Sequence, residues 1–486
     1  MRSREVLPVR VRSRVRRYDA DRGCYVYDIR FKTRAQISDR TVEVARSFGL
    51  GIDEEREHVV FDNFELKLAE GDVVYITGDS GSGKSVLLRA LAEDLGEKAV
   101  NLADVGVDPD KPLIDTVGGT FQEALTLLSK VGLNDAFLFL RRYPELSDGQ
   151  RYRYRIAKMI DSMKRFWICD EFCSTLDRTT ARIVAYNIQK LARRSGATLI
   201  VATTHTDLEE DLSPSILIRK GWGEEICVEY HPNREAPLCT VTRDITIREG
   251  TMTDYHRLSH LHYRAEDSGF LIKVFAMERQ GELIGVITYN YPPVLASGRT
   301  KAVGRRVPLE EINREWALIK RVIIHPKYRT TGLGARLVRE TLPLVGRRYV
   351  ELIAVMAQYN PFAEHAGMRK VQESKPAPQI LEAVERLRGL GFNPVLLASE
   401  GADLRRLGEL SPGEVDQVRL ILLGVPSIYY RRLRRGGRPY YKREEMRQWL
   451  WAQGLPSLAR SLAVLSVLSE TKVYLFWENS ELKGTG

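Results

Sequence analysis

Apolar and polar positions along the chain alternate between strand-like and helix-like periods, so no single pattern governs its length. Positions 6–31 alternate as a hairpin that turns basic residues outward. An apolar strand at 73–76 runs into a glycine-rich loop, and a helix leaves it at 85–95. A new alternating pattern begins near Val241 and passes a helix-like stretch at 251–266. Two strands then follow, 270–280 and 281–291, joined at Gln280–Gly281. A loop rich in Arg and Pro (292–308), a strand within 317–329, and a glycine turn with its helix at 330–345 come next. The stretch 373–379 reads as a linker. Helical periodicity covers 380–401 and 411–424, the latter opening on a capping-type Ser411-Pro412-Gly413-Glu414. The stretch 457–478 reads as a helix and a strand packed on a neighbouring domain. No apolar run reaches the length of a membrane span, and 461–468 is too short, so no membrane association is expected.

At 486 residues the chain holds two to four domains, each with its own core. Its 74 basic residues, 55 of them Arg, outnumber the acidic ones and give a net charge of +10. That balance points to a polyanionic partner. The five cysteines show no metal-ligand spacing, and their odd, scattered count suits a reducing cytoplasm. The basic N-terminal stretch lacks the apolar core of a secretory signal, which gives the same location.

The loop at 78–85, GDSGSGKS, carries the most chemistry. Gly78, Gly81 and Gly83, with Asp79, Ser80 and Ser82 between them, let backbone amides wrap phosphates. Lys84 reaches the β- and γ-phosphates, Ser85 ligates Mg²⁺, and Val86 continues the helix. Four further stretches follow in order and resemble the ATP-binding cassette (ABC) ATPases. LSDGQ at 146–150 resembles their signature, and FWICDE at 166–171 their Walker B strand. STLDR at 174–178 resembles the D-loop, and TLIVATTH at 198–205 the strand to the switch histidine. The resemblance implies that Ser147 and Gly149 donate to a γ-phosphate held by a second subunit and that Gln150 and Asp177 also bind the nucleotide. It implies Asp170 in the Mg²⁺ shell, Glu171 orienting the attacking water and His205 as the switch residue. Two departures stand out. Lys84 and Ser147 are only 63 positions apart, so the helical subdomain is reduced. VGVDPD at 105–110 stands where the family's Q-loop glutamine is expected, which removes the loop that couples transporters to membrane helices; Gln122 falls later, in a helix. Phe48 is the candidate for adenine stacking.

The downstream pattern resembles the GNAT acyltransferases. YRTTGLGARLV at 328–338 matches their acyl-CoA loop through Arg329, Gly332, Gly334 and Ala335, with Thr330, Thr331 and Leu333 between. Amides at that helix start would bind a pyrophosphate, as in the loop at 78–85. The strand before it, including Val322 and Ile324, would pair with pantetheine amides, and Asn360 matches the second CoA segment. Ala363 stands where many of these enzymes place a tyrosine general acid. His262 and Tyr263 lie where the acceptor pocket is lined, and Glu315, His325 and Tyr359 are further candidates. A lysine amine, with a pKa of about 10.4, must lose a proton before attack, whereas a base amine is already neutral. A site poor in acid–base groups therefore suits the base amine, for which positioning is the main task.

The segment YYRRLRRGGRPYYKR (429–443) packs seven cations and four tyrosines into fifteen residues, a pattern that grips phosphates and stacks unpaired bases.

The expected architecture is α/β and α+β multidomain. It comprises a basic β-rich extension (1–45), an ABC-type P-loop ATPase domain (46–240), a GNAT mixed-sheet domain (241–372) and a basic, mostly helical C-terminal region (373–486). It resembles a group of prokaryotic, mostly archaeal proteins that fuse these two enzymes. The expected function is ATP-dependent N-acetyl transfer from acetyl-CoA to an amino group of a nucleic acid, RNA before DNA, in a head-to-tail homodimer closed by ATP. The alternatives are an ATPase that remodels nucleic acid with a regulatory GNAT domain, then a protein or small-amine acetyltransferase. A transporter component comes last.

Overall fold

The computed structural model of the protein describes residues 9–33, 37–51, 56–261, 270–294, 296, 298–355, 360–434 and 440–482. The first three strands, β1 (Val9–Asp19), β2 (Cys24–Thr33) and β3 (Arg56–Leu66), form one antiparallel sheet in that order, with α1 (Asp39–Phe48) between β2 and β3. The expected boundary at 45/46 therefore cuts α1 and separates β2 from its hydrogen-bonded partner β3. The hairpin belongs to the ATPase because its inward apolar residues, Tyr27 and Ile29, share a core with Leu87 and Leu88 of the helix after the glycine loop.

That helix is α2 (Lys84–Leu95), entered from β4 (Val73–Thr77). The ATPase continues through β5 (Ala99–Asn101), α3 (Phe121–Lys130), α4 (Ala136–Phe139), α5 (Asp148–Asp161), β6 (Phe166–Cys169) and α6 (Arg178–Ser195). It closes with β7 (Thr198–Thr203), α7 (Glu209–Leu212), β8 (Ile216–Lys220) and β9 (Ile226–Tyr230). The sheet order is β5-β6-β7-β4-β8-β9, parallel except for β9. Every residue of β4, β6 and β7 is buried, because helices or the N-terminal sheet cover both faces. This is why these strands read as unbroken apolar runs.

The second domain runs β10 (Ile245–Glu249), α8 (Met252–Ser259), β11 (Leu271–Arg279), β12 (Glu282–Asn290), α9 (Arg299–Val303), α10 (Leu309–Glu315) and β13 (Trp316–Ile324). Then come α11 (Leu333–Thr341), β14 (Tyr349–Ala354), α12 (Phe362–His365) and β15 (Arg369–Ser374). Gln280 and Gly281 both take positive φ, 50° and 80°, as a two-residue hairpin turn requires. The stretch 292–308, expected as a loop, contains α9; its Arg and Pro content hides a helix whose Arg299 is buried.

Six helices follow among the described residues: α13 (Pro378–Gly389), α14 (Glu400–Glu409), α15 (Pro412–Leu423), α16 (Tyr430–Leu433), α17 (Arg443–Trp451) and α18 (Leu455–Leu468). They share one apolar core. The chain then returns as β16 (Lys472–Glu478), which lies between β14 and β15 in the order β10-β11-β12-β13-β14-β16-β15. The expected separate region 373–486 is thus a helical insertion within the second sheet. Its last strand sends Val473 and Leu475 into one core and Tyr474 and Phe476 into another, so both of its faces are buried. No helix among the described residues is long and apolar enough to cross a membrane.

Candidate active sites

The loop between β4 and α2 has the geometry expected of a phosphate cradle. Gly78 sits at φ 140°, and a Cβ there would lie 2.0 Å from the Lys220 carbonyl oxygen. At Gly83, φ 106°, a Cβ would meet a Val60 methyl at 2.4 Å. Only glycine fits either place. Lys84 is buried and donates its ammonium to the carbonyls of Gly78 (2.8 Å) and Asp79 (2.6 Å), with its pKa lowered by burial. Ser82 Oγ is buried without a hydrogen-bond partner. An orphan hydroxyl, a buried ammonium and first-turn amides together suit a triphosphate, so the residues present fit ATP.

β6 delivers Asp170 and Glu171 to the edge of this cradle. Glu171 adopts φ 50°, a left-handed conformation that a side chain takes only under local constraint. Its amide donates to Asp170 Oδ1 at 3.0 Å, and the next amide, of Phe172, donates to Ala202 O at 2.8 Å on β7. The pair is thereby fixed, with Glu171 exposed. His205, at the end of β7, accepts at its carbonyl from Tyr75 Oη and from Thr77 Oγ1, which ties it to β4. Ser147 caps α5 and is exposed; its amide donates to the Gln150 side-chain carbonyl at 3.0 Å, so Gln150 serves the turn that presents Ser147 and Gly149. Gln122 lies in α3, as expected. Among the described residues no cluster of three or more His, Cys, Asp or Glu could by itself hold a metal, so Mg²⁺ would rest on Ser85, Asp170 and the nucleotide.

Sequence reasoning missed Trp222. It lies in the β8–β9 turn, is 62% exposed, and places its ring 3.4 Å from where a Gly81 Cβ would be. The turn is held from below by Lys220, whose buried ammonium donates to the carbonyls of Gly221 (2.9 Å), Gly223 (2.5 Å) and Glu225 (3.3 Å). Phe48, the expected stacking residue, is 76% exposed at the end of α1.

In the second domain β13 and β14 are parallel but pair only from Trp316–Tyr349 to Leu318–Glu351. Beyond that point they splay, and β13 turns the backbone edge of 319–324, including Val322 and Ile324, into the gap. An unpaired strand edge inside a sheet recruits an extended, amide-bearing ligand. The gap leads to the turn at the start of α11, where Gly332 caps the helix at φ 86° and Thr330 is also left-handed at φ 68°. Leu333, Gly334 and Ala335 supply the first-turn amides, whose donors have no partner within the helix. Thr331 Oγ1 donates to Tyr328 O at 2.7 Å and fixes the turn. The residues fit acyl-CoA: the first-turn amides would hold its pyrophosphate, and the free edge of β13 would hold its amide-bearing arm. Arg329, expected at the pyrophosphate, instead donates to the carbonyls of Ile324 (2.9 Å), Leu261 (3.5 Å) and Asn134 (2.6 Å), the last on the ATPase.

Asn360 is exposed beside α12, and Ala363 is buried in the core, so no phenol stands at that point. His262, Tyr263 and Tyr359 lie outside the described residues. His325 accepts at Nδ1 from the Lys327 amide (3.3 Å), and burial lowers its pKa, but it stands at the turn end of the gap. Glu315 is paired with Arg314 before β13 begins. Nearer the splay, on the face of β12 that packs on α8, lie Thr288 and Asn290, with Arg321 opposite Thr288 on β13. Thr288 Oγ1 is buried with no partner. None of these three stood out in the sequence, because single polar residues in an alternating strand carry no motif.

The basic C-terminal stretch is partly structural. Tyr430 and Tyr441 are buried, and Arg434 stacks on Tyr441 (4.6 Å) and Trp449 (5.9 Å). Tyr440, Arg431, Arg432, Lys442 and Arg443 remain exposed, and a cavity of about 510 Å³ opens beside Tyr440 and Gly424.

Comparison with known proteins agrees with both domains. Residues 61–104 match the ABC transporter family model and residues 239–365 the acetyltransferase (GNAT) family model. The cytochrome c biogenesis ATP-binding export protein of Rhodopseudomonas palustris is 31% identical over 176 residues, 31% of this chain and 86% of that protein. The glutamine transport ATP-binding protein of Escherichia coli is 30% identical over 202 residues, 33% of this chain and 82% of that protein. The chain spans 62% of the length of the methionine import ATP-binding protein of Clostridium tetani, at 28% identity and over 33% of its own length. A solved ATP-binding cassette, in a dimeric post-hydrolysis state bound to ADP and Pi, aligns with a TM-score of 0.31 and 18% identity over 41% of this chain and 95% of that one. The chain belongs to the ABC-type ATPases and carries a GNAT acetyltransferase domain on the same polypeptide, an enzyme whose cofactors are ATP with Mg²⁺ and acetyl-CoA.

Proposed function

We propose that the protein is an ATP-gated N-acetyltransferase whose acceptor is an amino group of a nucleic acid, RNA before DNA. The observation that carries the gating is a shared core: Ile183 and Tyr186 of α6, the helix after the Walker B strand, pack in the same apolar cluster as Leu333 and Ala335 of the acyl-CoA turn. Movement of the ATPase helix is felt at the turn because packed interiors transmit displacement.

In the ATPase, Lys84 and the loop amides hold the phosphates, and Glu171 orients the water. Bound Mg²⁺ would neutralise charge on the phosphate oxygens. Ser147 is exposed and Gly149 half-buried on a helix start, which supports their service to a nucleotide in a second copy arranged head-to-tail. In the acetyltransferase, the acceptor nitrogen attacks the thioester carbonyl, the N–C bond forms, the C–S bond breaks, and the amine proton ends on the departing sulfur. The residues near the splay, Thr288, Asn290 and Arg321, are donors and acceptors suited to holding a base edge. The absence of a phenol at Ala363 favours an acceptor that is already neutral. Net charge +10 and the exposed cations around Tyr440 support a polyanion, and five free thiols support a reducing compartment. The same missing phenol also favours a second reading, in which the ATPase remodels ribonucleoprotein and the acetyltransferase fold only senses CoA.

The test is transfer of labelled acetyl groups to total RNA, DNA or protein, with and without ATP. Label on RNA that depends on ATP supports the proposal. Label on protein alone overturns the acceptor, and no label with intact CoA binding supports the sensor.

A further inference from the structure

Two polar connections tie the acyl-CoA turn to the ATPase. Lys327 Nζ lies 2.9 Å from Asp177 Oδ1. Asp177 is also the N-cap of α6, accepting from the Thr180 amide at 3.2 Å and from Thr180 Oγ1 at 2.6 Å. Farther along α6, Asn187 Nδ2 donates to Thr330 Oγ1 at 3.0 Å. The second connection starts at the signature. Arg153 on α5 donates Nε to Gly149 O (3.1 Å) and Nη1 to Gly132 O (2.6 Å). Two residues on, Asn134 accepts at its carbonyl from Arg329 and donates Nδ2 to Pro326 O at 3.4 Å. Each connection begins beside a residue expected to face a nucleotide and ends within 326–330.

Burial alone would push the Asp177 carboxyl up, but hydrogen bonds from Thr180 and Lys327 hold it below its ordinary range, so it is charged at neutral pH. The Lys327 and Asp177 side chains are 35% and 55% exposed, so their pairing is weak and open to exchange. Paired with Asp177, Lys327 has its charge neutralised two residues before the pyrophosphate turn. Any motion that draws Asp177 away leaves an ammonium facing a polyanionic ligand.

We infer that Asp177–Lys327 is a positioning latch through which the nucleotide state of the ATPase sets the affinity of the acyl-CoA turn, with Arg153, Asn134 and Arg329 as its second strut. This rests on the ATP-gated reading and adds its route and its sign: ATP, by recruiting the Asp177 segment to the nucleotide interface, tightens acetyl-CoA binding. By linkage, acetyl-CoA tightens ATP by the same factor.

The measurement is calorimetric titration of the full chain with acetyl-CoA, with and without saturating ATP and Mg²⁺, in the Glu171→Gln background to prevent turnover. The parent should bind acetyl-CoA about fivefold or more tightly with ATP present, within the range typical of such coupling. Lys327→Met should make the two affinities equal while thermal unfolding shows it folded. Asp177→Asn should bind acetyl-CoA more tightly than the parent in the absence of ATP. An unchanged ATP effect in folded Lys327→Met overturns the latch, as does loss of acetyl-CoA binding in both nucleotide conditions, which would make Lys327 a plain ligand contact. No ATP effect in the parent instead overturns the gated reading itself.

Discussion

Arg299 of α9 and Glu351 of β14 form an ion pair at 2.7 Å with side chains 4% and 0% exposed. Glu351 is the residue opposite Leu318 in the last paired position of β13 and β14, so the pair sits where the acyl-CoA gap opens. Each partner is further bonded. Arg299 also donates to the carbonyls of Pro293 (2.9 Å) and Val294 (3.1 Å), and Tyr474 Oη donates to Glu351 Oε2 at 2.5 Å. The guanidinium lies over the Trp316 ring at 5.2 Å. The cluster joins Pro293, Val294, α9, β14 and the returning strand β16 in one network.

Removing one member leaves a buried charge without its partner. Arg299→Met should therefore destabilise the protein by about 3–5 kcal/mol, far more than a surface ion pair would. Denaturant unfolding followed by tryptophan emission measures this. The double variant Arg299→Met with Glu351→Leu should recover much of the loss, because no charge is then stranded. A double variant as unstable as the single one would mean that shape, not charge, sets the cost.

Asp403 on α14 is 2% exposed, its Oδ2 has no partner, and burial pushes its carboxyl up to about 7. Its folded pKa exceeds its unfolded value near 3.9, so the folded state binds the extra proton between these values. Stability contributed by this group is thus greatest at low pH and declines as pH rises towards 7. Asp403→Asn should raise the midpoint of thermal unfolding at pH 8 by an amount equivalent to about 1–3 kcal/mol, and have no such effect near pH 4. Scans at the two pH values decide it.

Nucleotide binding should be visible at Trp222, whose ring rests against Gly81 and is largely exposed. Adding ATP should change emission from the wild-type protein, and Trp222→Phe should abolish that change although five other tryptophans remain. If Trp222 also stacks on the adenine, the variant should bind ATP about five- to tenfold more weakly, consistent with a stacking contribution of roughly 1–1.5 kcal/mol. An unaltered signal in Trp222→Phe would place the nucleotide away from this turn.

The parts of these sites that could be read from sequence are those carried by contiguous residues. The loop 78–85 and the turn 329–335 each need several glycines within one helix start, and such local demands leave a fixed spacing. Trp222, Lys327 and Arg299 act through partners far away in the chain, and a single aromatic or basic residue has no spacing to read. Arg329 matched its motif, yet its side chain turned to the Asn134 carbonyl, a contact set by domain packing. The place of β16 was equally hidden. The apolar stretch 457–478 announced a helix and a strand but not the strand's neighbours, because an apolar pattern marks buried faces and says nothing of which edges are paired.

The cations of the C-terminal stretch should separate into two classes. Arg434 is stacked on Tyr441 and Trp449 inside the helical insertion, whereas Arg431 and Arg432 are exposed on α16. Arg434→Ala should lower stability by about 1–2 kcal/mol through the lost cation–π contacts. Arg431→Ala with Arg432→Ala should leave unfolding unchanged and weaken single-stranded RNA binding. On a plot of log affinity against log salt, each removed phosphate contact should reduce the slope by roughly 0.7. Tyr440→Ala should weaken binding at every salt concentration without altering that slope, because stacking releases no counterion. Equal slopes for the parent and the double arginine variant would show that α16 does not touch phosphate, and the polyanion would then have to be sought on another face of the molecule.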